Sequence, residues 1–303
     1  MLKFFYKKWC CLSIAMAVAA LLAGCSSSMV VGKVYDRFGS QMAKRFKSFA
    51  TFNTAQIQEI DALTESYHSW HRTTQLDRYA ALLDRMVADI NNSELLSYGK
   101  ADNWFQSIRG YSDDMRACNP FNVSAELLAG MSDKQVAQMA TRMRERVTEH
   151  EDEYRNASPE ERIEEQMKAM LKWGPRIGAG FNDAQKKLLR KTLSTQISMG
   201  AQRYELRRRW IEEFLVLLNR RKQADFTRDV TRHIDTLWRI TETNFPEQWK
   251  SNEQHWTVFF KDYINLQTDQ QRLEFVNRAG TTAEILKRLA GKEVKAAPVC
   301  YKP

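Results

Sequence analysis

Proline and glycine are scarce, at 6 and 12 of 303 residues, and they sit mainly between periodic segments. That scarcity excludes collagen-like, low-complexity and turn-rich all-β chains. No segment alternates apolar and polar residues with period two for long, and runs of β-branched residues are missing, so a sheet is not expected. The local signatures of hydrolases, nucleotide-binding proteins and zinc proteases (GxSxG, the P-loop, GxGxxG, HExxH) do not occur. An enzyme would need a site assembled from distant helices, and none is expected. No Cys/His cluster has metal-ligand spacing, so neither a metal nor another cofactor is expected. Three of the five cysteines, Cys10, Cys11 and Cys25, fall within the first 25 residues.

What is present begins with a leader. Lys3, Lys7 and Lys8 precede an apolar run, Leu12 to Leu22, that ends in "LLAGCSSS". The run is shorter than the roughly 20 apolar residues a spanning helix needs, and serines follow it at once, so it reads as a secretory signal. Leu22-Ala23-Gly24-Cys25 resembles the lipobox of bacterial lipoproteins. The resemblance implies cleavage before Cys25, lipidation of Cys25 and stable membrane anchoring by more than one acyl chain. Ser26, rather than aspartate, follows the cysteine, which by the same resemblance implies the outer membrane and its periplasmic face. In that oxidising compartment the remaining cysteines, Cys118 and Cys300, are expected to pair and pin the tail to the body, although sequence alone does not fix pairing.

About 280 residues follow the leader, and 43% hydrophobic with 11% aromatic content argues for a packed core. The phrase "FNDAQKKLL" from Phe181 has near-copies at Phe52, Met131 and Leu266. In each, an N-cap (Asn53, Ser132, Asn182, Thr268) stands three residues before a glutamine (Gln56, Gln135, Gln185, Gln271), the spacing of a capping box. Ser158-Pro159-Glu160-Glu161 makes a fifth helix start, with proline at the first helical position.

Apolar periodicity then predicts an all-α chain, an elongated bundle of long amphipathic helices. Helices are expected over 32–50, 53–90, from the "NNSELL" segment to Cys118, and over 132–155, 158–173, 182–222, 224–242, 246–265 and 268–290. The helix over 182–222 would extend roughly 60 Å. Gly174, Pro175, Gly178 and Gly180 form the densest breaker cluster. The chain accordingly divides into a signal (1–24), an anchor and first helix (25–51), two helical halves (52–180 and 181–290) and a tail (291–303). Each half opens a long helix and starts another about 80 residues later, a spacing consistent with a duplicated unit but not with a solenoid.

The Φ-[N/S/T]-x-x-Q starts resemble the LTxxQ signature of small periplasmic chaperones of the Spy and CpxP type, with Phe or Met in place of leucine. A resemblance over most of the mature chain rests on "QIQEIDALTESYHSWHRTTQLDRYAALLDRM", "MSDKQVAQMATRMRERVTEHEDEYRNASPEERIEEQMKAMLKWG" and "AQRYELRRRWIEEFLVLLNRR". These are similar to the proteobacterial lipoprotein family catalogued as domain of unknown function 6279. It implies a lipidated helical protein, with Trp70, His71 and Tyr79 at positions of the family pattern, and supplies no activity.

Two groups of residues stand out chemically. Glu65, His68 and His71 share a helical face, but without a metal-binding order. The formal charge is +9, of which Lys3, Lys7 and Lys8 carry three. The basic balance concentrates at Arg203, Arg207, Arg208 and Arg209, interleaved with Tyr204 and Trp210, and at Arg220, Arg221 and Lys222. A periplasmic location excludes chromosomal DNA, so the expected partners are the membrane through Cys25, envelope proteins, and anionic lipid or lipopolysaccharide. The expected function is a lipid-anchored, chaperone-like protein-binding module. The alternative is a structural or assembly lipoprotein that binds one envelope complex.

Overall fold

The computed structural model describes residues 28–177 and 180–301. The leader and Cys25 lie outside the described residues. The described chain is all-α, with no strand. Its helices are α1 (Ser28–Tyr35), α2 (Phe38–Lys47), α3 (Thr54–Trp70), α4 (Leu76–Asn91), α5 (Tyr98–Ala117), α6 (Ala125–Ala129), α7 (Asp133–Asn156) and α8 (Pro159–Ile177). There follow α9 (Asp183–Thr195), α10 (Gly200–Asn219), α11 (Phe226–Asn244), α12 (Pro246–Asn265) and α13 (Asp269–Ala290). A π-helical turn, His71–Gln75, joins α3 to α4, and a 3-10 turn, Pro120–Val123, precedes α6.

The apolar stripes bury themselves in two main cores. One gathers α1, α4, α5, α8, α9, α12 and α13 around Leu76, Ile90, Leu189, Phe259 and Leu286. The other gathers α2, the start of α3, α6, α7, α10 and α11 around Leu128, Met131, Phe214, Leu218 and Val230. Both draw helices from either side of the 174–180 breaker segment.

All four glutamine starts form complete capping boxes, closed in both directions. They also meet in pairs. Gln135 Nε2 donates to Gln56 Oε1 at 2.7 Å and to the Thr51 carbonyl at 2.9 Å. Gln271 Nε2 donates to Gln185 Oε1 at 3.1 Å and to the Gly180 carbonyl at 2.8 Å. In both pairs the second carbonyl lies two residues before the first N-cap. Each amide therefore serves two helices, its oxygen closing its own box and its nitrogen crossing to the partner start. Glutamate could close a box but has no N–H to cross with. The fifth start, Ser158 with Glu161, is exposed, and among the described residues it closes only its own box.

The expected helix over 182–222 is instead two helices. Leu189 and Leu193 of α9 enter the first core, whereas Tyr204, Ile211, Phe214 and Leu218 of α10 enter the second. Between them Asn252 holds both backbone groups of Ile197, accepting from its N–H at 2.8 Å and donating to its carbonyl at 2.9 Å. Tyr154 occupies the space where a side chain at Gly200 would stand, since an added Cβ would lie 2.2 Å from its ring. The first helix is likewise two, α1 and α2, parted at Asp36 and Arg37. Replacing Asn252→Ala removes both bonds to Ile197 and should lower the unfolding free energy by about 1–3 kcal/mol, as read by urea titration.

Candidate functional site

The helix that begins at Asn53 does not end at Trp70. One wide turn follows, and threonine hydroxyls take up carbonyls there: Thr73 Oγ1 donates to Ser69 at 3.0 Å and Thr74 Oγ1 to Trp70 at 2.6 Å. Such π-turns often accompany functional positions, because the extra residue redirects side chains. Here the turn buries His71, Arg72 and Gln75 together. The polar run "HRTTQ" inside an apolar stripe was the sequence signal for it.

Around His71 lies a buried polar chain. Tyr35 Oη is 2.7 Å from His71 Nδ1, and Tyr79 Oη is 3.3 Å from Nε2. Tyr79 donates its own proton to Met115 Sδ at 3.4 Å. A neutral imidazole has one donor and one acceptor, so Nε2–H donates to Tyr79 and Nδ1 accepts from Tyr35. Burial, then the charges of His68 and Arg72, push His71 down to about 3. His68 packs its ring edge on Tyr35, with centroids 4.9 Å apart, and burial followed by Arg72 pushes it down to about 4. Burial also raises the Tyr35, Tyr67 and Tyr79 hydroxyls. Because both nitrogens of His71 face tyrosines, the Glu65, His68 and His71 face does not converge on a common point.

Arg72 ties the neighbouring elements together. It donates to Asp36 Oδ1 at 2.5 Å and to the Leu289 carbonyl at 3.4 Å, and its guanidinium lies 4.9 Å from the Tyr35 ring centre. Burial works to raise Asp36, but the hydrogen bond and charge of Arg72 outweigh it and hold the carboxyl below its ordinary range. Gly39 permits close approach of α2, since an added Cβ would meet His68 Cβ at 3.2 Å and the Thr64 carbonyl at 3.3 Å.

The tail crosses this region. A cleft of about 170 Å³ opens between Asp36, Glu65, His68, Ser69 and Arg72 on the body and Lys292, Glu293 and Lys295 on the tail. Cys118 and Cys300 are bonded, with Cα atoms 4.3 Å apart. Val299 N–H donates to Ser66 at 3.2 Å, Tyr301 N–H to Cys118 at 3.3 Å, and Asn122 Nδ2 to Tyr301 at 3.1 Å. The cleft lining mixes three basic with three acidic side chains, and no group of three His, Cys, Asp or Glu among the described residues is placed to hold a metal ion. The arrangement therefore holds α1, the π-turn and the end of α13 in one register.

The expected basic face on α10 is not assembled as the sequence suggested. Tyr204 and Trp210 belong to the buried stripe, and Trp210 Nε1 donates to the His233 carbonyl at 2.9 Å and to Thr236 at 3.1 Å. Arg208 is paired with Glu151 and Glu205, Arg209 Nη2 lies 4.0 Å from Glu205, and Arg203 lies over the Tyr204 ring. Arg207 is half-buried. Arg221 is buried against the Met131 carbonyl and Asp133, and so belongs to the first glutamine clamp's surroundings. The acid response follows from the histidines. Below pH 6.5 the unfolded chain takes up protons that folded His68 and His71 refuse until about pH 4 and about pH 3. Stability is therefore full above pH 6.5 and falls as pH falls through that window. The thermal midpoint should drop across it, and His71→Gln should flatten the slope in a melting series.

Among the described residues no helix is long and apolar enough to cross a membrane. No curated protein and no solved structure matches the chain. A family profile matches residues 48–241, which span α3 to α11. That stretch includes the π-turn, both members of the first glutamine pair and the first member of the second. On that match, the chain belongs to the family of unknown function DUF6279.

Proposed function

We propose that the chain is a lipid-anchored envelope lipoprotein whose helical body binds a protein partner. The carrying observation is an exposed aliphatic end. The Asn265 side chain holds both backbone groups of Leu96, and Arg272 donates to the carbonyls of Ile90, Ser93 and Glu94. These bonds bring Leu95, Leu266 and Leu273, which are 65%, 42% and 62% exposed, to one end of the body beside the second glutamine pair. Clustered exposed aliphatics mark interaction surfaces, whereas single ones need no explanation.

The position of this end supports a protein partner over a lipid one. Leu273 stands at the start of α13, and α1, which follows the lipobox, packs at its other end near Leu289. Sixteen residues of α13 separate Leu273 from Leu289, roughly 24 Å along the helix. The leucines would then be held away from the membrane that Cys25 enters.

Of the two binding modes, a specific partner is favoured. Promiscuous surfaces use flexible, methionine-rich contacts. Here no described methionine side chain is exposed, and Met131, Met139 and Met167 are core residues. The chaperone-like mode remains the second reading, on the resemblance of the helix starts to LTxxQ proteins. A photo-crosslinking residue placed at Leu95 or Leu273 in cells should give one discrete adduct, with none from Val216 on α10. A ladder of many adducts from both leucines would favour the chaperone-like mode, and no adduct would overturn a protein-binding role for this end.

A further inference from the structure

The first two helices carry opposite chemistry on opposite faces. Val31, Tyr35, Gly39, Ala43, Phe46 and Ala50 recur every three or four residues and are buried. Turned away from them, Lys33, Arg37, Ser40, Gln41 and Lys44 are all exposed. Lys33, Arg37 and Lys44 form no ion pair with any described residue. The one carboxylate between residues 28 and 50, Asp36, is turned to Arg72 and Lys292. On the neighbouring α3, Asp61 is taken by Lys47, and Glu65 lies beside His68. The outer face is thus cationic and unneutralised.

Its place in the chain gives it an occupant. Only Ser26 and Ser27 stand between the lipobox cysteine and Ser28, where α1 begins, so the three residue steps reach roughly 10 Å when extended. We infer that the Lys33, Arg37 and Lys44 face of α1–α2 lies on the anionic phospholipid headgroups of the leaflet that holds the anchor. This rests on lipidation of Cys25. The acyl chains supply residence, and the basic face supplies orientation, because each cation near a charged surface adds a favourable contribution that a Debye length of about 10 Å limits to groups close to the bilayer. Lying along the surface, α1–α2 would set the body so that α13 carries the leucine end outward.

The test is a lysine-acetylation footprint on the intact lipidated chain, floated with vesicles of phosphatidylethanolamine and phosphatidylglycerol or of phosphatidylcholine alone. On the anionic vesicles Lys33 and Lys44 should react about threefold more slowly or less, while exposed Lys191 on α9 keeps its rate, and about 0.5 M salt should remove the difference. A chain that floats with both vesicles but shows no composition dependence at Lys33 and Lys44 overturns the inference and leaves the anchor standing. A chain that floats with neither overturns the anchor and the inference with it.

Discussion

The hydrogen bond between two glutamine side chains, made twice, is the constraint on which the rest of the architecture depends. Helix starts normally satisfy their orphan N–H groups locally. Here the closing residue of one box also donates to the closing residue of another, 79 residues away in the first pair and 86 in the second. Each crossing is backed by a second bond to the backbone just before the partner helix. Four helix entries are thereby fixed in two places, one in each main core, and the apolar stripes fall into register from there. Buried amides of this kind leave little freedom, since an unpaired group in the interior costs about 1–3 kcal/mol.

Between the two cores sits the π-turn, where His71, Tyr35, Tyr79 and Arg72 complete a polar joint and the disulfide brings the tail across it. The joint connects α1 to the end of α13. It links the segment that follows Cys25 to the helix whose far end carries Leu273. On the proposed reading, orientation at a membrane and presentation of a binding end would be coupled through this one set of contacts.

Much of this was legible in the residues. The capping boxes, the apolar stripes and the all-α class follow from local spacing, which is what periodicity and caps report. The pairing of the boxes is long-range, so spacing alone could not reveal it, although the glutamines hinted at it: four starts use Gln, and the lone start uses Glu161. The rod expected over 182–222 failed because a continuous stripe does not say that its two parts face different cores. Tyr204 follows the apolar stripe of Ile211 and Phe214 in the sequence itself, whereas Trp210 stands beside the arginines only by proximity, and its helical phase places it in the same core. The joint at His71 needed Tyr35 and Asp36 from a separate helix, and no local pattern connects them.

The clamp can be tested by exchanging one atom group. Gln135→Glu keeps an acceptor for the Ser132 N–H, and so keeps the box, but removes the amide that crosses to Gln56 and Thr51. If Gln56 turns its own amide to meet the new carboxylate, its box at Asn53 opens. The equilibrium unfolding free energies of Gln135→Glu and, as the reference, Glu161→Gln at the uncrossed start decide the matter. If the crossing bond fixes the helix entries, the first loses about 1–3 kcal/mol and the second changes by no more than about 0.5 kcal/mol. Equal, near-zero changes at both positions would contradict that role.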